Sequence, residues 1–208
     1  MSAPDSTAHA ATDESLMMQY AQGQAAAFNV LYGRHEMSVW RYVFRSVQNA
    51  STADEIAQEL WFAVARAAAT YEATKGGAKF RTWLFTLAHH RIVDHWRAFK
   101  PHEGVAIDAH MNPHDDEAVL AHAQLIADSG FGPLRQIESR EQARALMAAV
   151  QALPGEQREA FLMQAEGGMG IEEIAAATDC SFETAKSRLR YARSKLKSLL
   201  AEFAETTP

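Results

Sequence analysis

Three groups of residues carry side chains with an evident use in recognition. Near the C-terminus, Ser181, Glu183, Thr184, Lys186, Ser187, Arg188, Arg190, Tyr191 and Arg193 follow one another closely. Arginine and lysine can donate to guanine edges or phosphates, and serine and threonine to either, which is the chemistry of reading paired DNA in its major groove. Between residues 75 and 100, Lys75, Lys79, Arg81, Arg91 and Arg97 interleave with Phe80, Trp83, Phe85, His89, His90, His95 and Trp96. Cations mixed with flat rings suit unpaired bases, which can stack where a closed duplex cannot. Asp54, Glu55, Gln58 and Glu59 stand beside Trp61 and Phe62, and charge edged by large rings is a common composition for a protein interface. Each group also has a plainer reading: a solvated basic helix, a core built from Trp83, Leu84, Leu87 and Trp96, and a solvated acidic face.

Catalytic chemistry finds little support. There is no glycine-rich phosphate loop, nucleophile elbow or HExxH helix. The run from His89 to His95, with His90 and Asp94 four residues apart, is the one stretch with ligand-like spacing. No other ligand motif joins it, and His102, His110, His114 and His122 show no fixed spacing. No cofactor, no metal and no enzymatic activity are therefore expected. Cys180 is the single cysteine, which excludes an internal disulfide and a thiolate-rich zinc site.

The elements that must position these residues read as helices throughout. β-branched residues never cluster with period two, so an all-α fold is predicted. A short helix follows Asp13, taken as its N-cap, and runs to about Gly23; the next carries Phe28, Leu31, Val39, Val43 and Val47 near helical spacing. Ser51-Thr52 is expected to break it and cap a third helix, whose stripe is Ile56, Leu60, Val64, Ala67 and Tyr71. Lys75-Gly76-Gly77 reads as a turn, followed by a helix from about Phe80 to Phe99 that Pro101 stops. Residues 101–138 read as a linker with a possible short helix near 117–127. Helices are expected again over 139–152, from Pro154 to about Glu166, over 171–177 and over 182–204. The junction Thr178-Asp179-Cys180-Ser181 is short enough for the turn of a helix-turn-helix, with Ser181 as N-cap of its second helix. The expected architecture is thus a tail over 1–12, a small helical domain over 13–100, a flexible acidic linker over 101–138 and a second helical domain over 139–204.

The 208 residues carry a net charge of −6, which by itself disfavours a nucleic-acid partner. The distribution reverses that inference. Residues 75–100 and 183–197 hold twelve of the twenty basic residues, and the acidic stretch 101–141 separates them. That pattern makes two electrostatic footprints. No apolar run approaches the length of about 20 residues that a membrane span needs, and no basic-then-apolar leader opens the chain, so a cytoplasmic protein without membrane insertion is expected.

Three stretches together resemble the extracytoplasmic-function (group IV) bacterial sigma factors. Ala53-Asp54-Glu55-Ile56-Ala57-Gln58-Glu59-Leu60-Trp61-Phe62 is similar to region 2.2 of that family. The run from Phe80 to Asp94 is similar to regions 2.3–2.4, and Leu153 to Phe161, Glu172 to Ala175 and Thr184 to Leu189 are similar to region 4. The resemblance implies that Asp54, Glu55, Gln58, Glu59, Trp61 and Phe62 dock on the clamp helices of the largest subunit of core RNA polymerase. It implies that Lys75, Lys79, Phe80, Arg81, His90, Arg91 and Arg97 capture and melt the promoter minus-ten element. By the same likeness the residues from Ser181 to Arg193 named above read the minus-thirty-five element, region 4 holds the polymerase flap, and an anti-sigma factor controls the whole. Three positions depart from the family pattern: His90 stands where asparagine is usual, Tyr191 where arginine is common, and Gly170 where a serine or threonine cap is usual. Two other readings remain open on the residues themselves, a helix-turn-helix regulator that binds duplex alone and a metal-dependent hydrolase centred on His89 to His95.

Overall fold

The structure, a computed structural model, describes residues 11–71, 79–99 and 140–201. The expected tail, the Lys75-Gly76-Gly77 turn, the linker and its possible helix near 117–127 lie outside them. Among the described residues eight α-helices follow in order: α1 (Asp13–Ala21), α2 (Ala25–Val47), α3 (Ala50–Ala67), α4 (Phe80–Phe99), α5 (Arg140–Gln151), α6 (Gly155–Gly167), α7 (Ile171–Ala177) and α8 (Phe182–Leu199). One 3-10 turn, Ala68–Thr70, extends α3, and no strand occurs among the described residues.

Local chemistry sets the helix ends. Thr12, not Asp13, caps α1, accepting the Ser15 N–H at 3.2 Å. Asp13 is otherwise occupied: its carboxylate takes Arg34 at 2.8 Å and His35 at 2.7 Å, pinning α1 to α2. The break before α3 falls at Asn49, whose side chain accepts the Thr52 N–H at 3.0 Å, slightly ahead of the expected Ser51-Thr52. Gln48 ends α2 in the left-handed region at φ 62°, and Gly168 ends α6 at the same φ, where glycine carries no Cβ penalty. At Gly170 the missing side-chain cap is answered from the other end of the turn, where the Glu173 carboxylate accepts the Gly170 N–H at 2.7 Å. Ser181 caps α8 as its sequence position implies, accepting the Thr184 N–H at 3.1 Å.

The two helical groups, α1–α4 and α5–α8, pack on one another. Leu31, Val39, Tyr42 and Val43 of α2, Leu60 and Val64 of α3 and Leu84, Phe85 and Ala88 of α4 belong to the same apolar cluster as Phe161, Leu162 and Met163 of α6, Ile174 of α7 and Leu189 and Leu196 of α8. Helix α6 lies against both α2 and α4, and α7 touches α4. Gly167 permits the approach, because a Cβ there would meet Phe85 Cγ at 3.0 Å. At about 1.5–3 kcal/mol for each large apolar side chain removed from water, this shared layer is a substantial attraction between the halves.

Candidate functional site

Helix α3 turns Ala53, Ile56, Ala57 and Leu60 inward, so Asp54, Glu55, Gln58 and Glu59 all face outward. The 3.6-residue period requires this: the apolar stripe fixes the rotation, and the carboxylates follow. A cleft of about 690 Å³ opens between α2 and α3, edged by Glu36, Asp54 and Glu55 and floored by Tyr32, Trp40 and Trp61. Trp40 donates its indole N–H to Asp54 at 2.6 Å, and Tyr32 lies 5.0 Å from Trp61, ring to ring. Burial, then the neighbouring Glu36, pushes the Tyr32 hydroxyl pKa up. Trp61 is buried in the floor, whereas Phe62 is 57% exposed beside it. The arrangement offers an aromatic slot rimmed by negative charge.

On α4 the sequence-predicted residues divide. Lys79, His90 and Arg97 are exposed and Arg91 is half-buried, so their cationic or imidazole ends reach solvent. Phe80 does not join them: it is 0% exposed, and its N–H donates to Glu14 at 2.8 Å. That backbone contact holds the Glu14 carboxyl below its ordinary value. The Phe80 ring is enclosed by His35, Tyr71 and Trp83, so here it is core and not a platform for a base. Lys75 lies outside the described residues. His89 is also buried, with Nδ1 2.7 Å from Glu159 of α6. Among the described residues no group of three histidine, cysteine or acidic side chains is placed to hold a metal.

On α8, Ala185, Leu189, Ala192 and Leu196 face the core and turn Ser181, Glu183, Thr184, Lys186, Arg190, Tyr191 and Arg193 outward. Lys186 lies 3.5 Å from Glu183 and 5.8 Å from the ring centre of Phe182. Phe182 is an exposed ring in the first turn of α8, outside the polar and charged types from which the sequence predicts contacts there. The Arg190 guanidinium stacks 4.8 Å from the Tyr191 ring and donates to its hydroxyl at 3.1 Å. Ser187 is half-buried, and Arg188 is turned toward α6, 2.8 Å from Glu156. Arg193 donates to Gln164 of α6 at 2.7 Å. Arg188 and Arg193 therefore tie α8 to its scaffold, while Lys186, Arg190 and Tyr191 form the outward row. Cys180 sits in the turn with its sulfur 3.3 Å from the Thr178 hydroxyl, a small packed residue.

One cluster had no signal in the sequence. Glu166, 3% exposed near the end of α6, places one carboxylate oxygen 2.8 Å from Arg41 Nε and the other against Arg45, both on α2. Its main-chain carbonyl accepts from Arg81 at 2.6 Å. Burial pushes the Arg45 pKa down against the opposing pull of Glu166, and among the described residues Arg45 Nη2 has no acceptor. Arg45 and Glu166 are 121 residues apart, beyond the reach of any local pattern.

Residues 31–100 match sigma-70 region 2, and residues 143–196 match sigma-70, region 4. The chain is 28% identical to the ECF RNA polymerase sigma factor SigK of Mycobacterium ulcerans over 89% of its length and 92% of that protein. It is 28% identical to the RNA polymerase sigma factor CarQ of Myxococcus xanthus over 90% of its length and 97% of that protein. Its fold is similar to CnrH, solved in complex with the cytosolic domain of CnrY, with a TM-score of 0.60 and 21% identity over 91% of this chain and 97% of that one. It is also similar to RpoE of Bartonella quintana, solved with the anti-sigma factor NepR, with a TM-score of 0.55 and 19% identity over 88% and 97%. No helix among the described residues is long and apolar enough to cross a membrane. With two region models matched in the family's order and relatives aligned over nearly the whole length, the chain belongs to the extracytoplasmic-function class of RNA polymerase sigma factors, the subunits that direct core polymerase to promoters for initiation.

Proposed function

We propose that residues 13–100 form the unit that docks on polymerase and opens the promoter, and residues 139–204 the unit that reads it upstream, with 1–12 as a tail and 101–138 connecting the two. In this reading the slot between α2 and α3, with Asp54, Glu55, Gln58, Glu59, Trp61 and Phe62, seats on the clamp helices of the largest polymerase subunit. Lys79, Arg81, His90, Arg91 and Arg97 engage the minus-ten strand, together with Lys75. Phe80 supports them from the core. Lys186, Arg190 and Tyr191 meet base edges of the minus-thirty-five duplex, Ser181, Glu183, Thr184 and Ser187 flank them, and Arg188 and Arg193 brace the helix. The protein performs no catalysis of its own and works in the cytoplasm. The solved relatives were captured with CnrY and with the anti-sigma factor NepR, and we read the same kind of control here: an anti-sigma partner holds the factor until a signal releases it.

The observation that carries this reading is the separation of chemistries on one chain: a negatively rimmed aromatic slot on α2–α3 and an outward cationic row on α8. A duplex-binding regulator needs only the second. Footprinting with and without core polymerase tests the difference. Protection of paired upstream and minus-ten segments only when core polymerase is present is expected. A specific footprint by the chain alone at nanomolar concentration overturns the reading in favour of a conventional helix-turn-helix regulator.

A further inference from the structure

Glu166 meets three arginines of the other half, two at its carboxylate and one at its main chain. Arg41 and Arg45 hold its carboxylate, and Arg81 donates to its main-chain carbonyl. As a stability device the cluster is poor, because desolvating two buried charges costs about as much as their attraction returns. It also leaves a donor over: among the described residues Arg45 Nη2 is buried with no acceptor, although two carboxylate oxygens are within the cluster. A tetrahedral phosphodiester presents its oxygens in directions that a planar carboxylate cannot, and guanidinium forks match phosphate in both charge and shape. Arg81 stands exposed in the first turn of α4, two residues after Lys79, and His90, Arg91 and Arg97 follow further along the same helix. All three arginines belong to the first half, and their anion belongs to the second. When the halves part, Glu166 leaves with α6 and the arginines remain together on α2 and α4.

We propose that Arg41, Arg45 and Arg81 form a phosphodiester site for the melted promoter strand, and that Glu166 occupies this site as an internal stand-in for phosphate while the two halves are packed together. The site extends the strand-binding surface beyond α4 onto α2, and strand capture there requires α6 to move away. Gly167 and Thr82 show how close the competing contact is: Gly167 meets Phe85 without room for a Cβ, and the Thr82 hydroxyl bonds Glu173 of α7. The inference rests on the sigma-factor reading of α4.

The test uses the assembled holoenzyme and a fluorescent single-stranded oligonucleotide carrying the non-template minus-ten segment of a promoter that the holoenzyme transcribes. Arg41→Gln and Arg45→Gln are each expected to weaken strand binding by about tenfold. Each should also lower the log–log salt slope by about 0.7, the share of one single-strand phosphate contact. Glu166→Gln, measured on the free factor, is expected to strengthen binding of the same oligonucleotide. The signs matter, because arginines that merely latch the halves would, when removed, open the molecule and raise strand affinity. Unchanged or tighter binding by both arginine variants overturns the proposal. Should Arg45→Gln fail to fold, Arg41→Gln and the charge-preserving Arg45→Lys decide it, the latter expected to retain the wild-type salt slope. A holoenzyme that transcribes no promoter at all contradicts the sigma-factor reading instead, so the two failures are distinguishable.

Discussion

Lys186 and Arg190 differ from Arg188 in what they already hold. The first two project from α8 into solvent, whereas Arg188 is half-buried against Glu156. Lys186→Ala or Arg190→Ala is expected to cost roughly 1–3 kcal/mol at particular base pairs of the upstream element, as measured by holoenzyme binding to duplexes substituted one pair at a time. Equal loss on every duplex would mean phosphate contact only. Arg188→Ala should leave base preference unchanged and lower stability by no more than about 1 kcal/mol, because its partner is solvent-exposed. The sequence alone could not separate these arginines, since a basic run on one helix shows spacing but not which residues the packing has claimed. Phe80 makes the same point: its type and neighbours suit base stacking, yet Glu14, His35 and Tyr71 enclose it.

At the scale of elements, the junction of α1 with α2 is the acid-sensitive one. Burial depresses the His35 pKa despite the adjacent Asp13. For Asp13 burial acts upward, but Arg34 and His35 outweigh it and hold the carboxyl below its ordinary value. With His35 kept neutral in the folded state, the unfolded chain binds an extra proton once pH falls below about 6.5, so stability declines from there downward. The Asp13 contribution is present above its unfolded value and is lost only at much lower pH, as its folded pKa is passed. The urea midpoint should therefore fall between pH 7.5 and 5.5, and His35→Gln should fall less; equal declines would contradict the assignment. Gly167 gives a second element-scale expectation. Alanine there gains up to about 1 kcal/mol in helix propensity but forces Phe85 aside at roughly 1–3 kcal/mol, so calorimetry should show a net loss of stability. Helix bounds such as Phe80–Phe99 and Ile171–Ala177 were legible because apolar period, proline and glycine agree there. The caps were less so: Asp13 is a good N-cap by type, but tertiary partners claimed its carboxylate.

The whole molecule shows what local pattern cannot carry. Two helical groups, an acidic shoulder and a basic recognition helix were all readable from periodicity and charge, and the family resemblance placed them in order. Their packing on each other was not, because it rests on pairs such as Arg45 with Glu166 and His89 with Glu159 that lie far apart in the chain. Within that arrangement the negatively rimmed slot stays open to a partner. Reversing charge on the outward face of α3 that borders it, with Glu55→Lys and Glu59→Lys together, should abolish co-purification with core polymerase while leaving the helical circular-dichroism spectrum intact, since both residues face outward. Retained co-purification would remove the slot from the interface. The most direct measurement is run-off transcription by purified core polymerase on a genomic promoter library with and without this chain. The account predicts transcripts from a discrete set of start sites, sharing paired upstream and minus-ten sequences, only when the chain is added; identical transcript profiles with and without it would contradict the account.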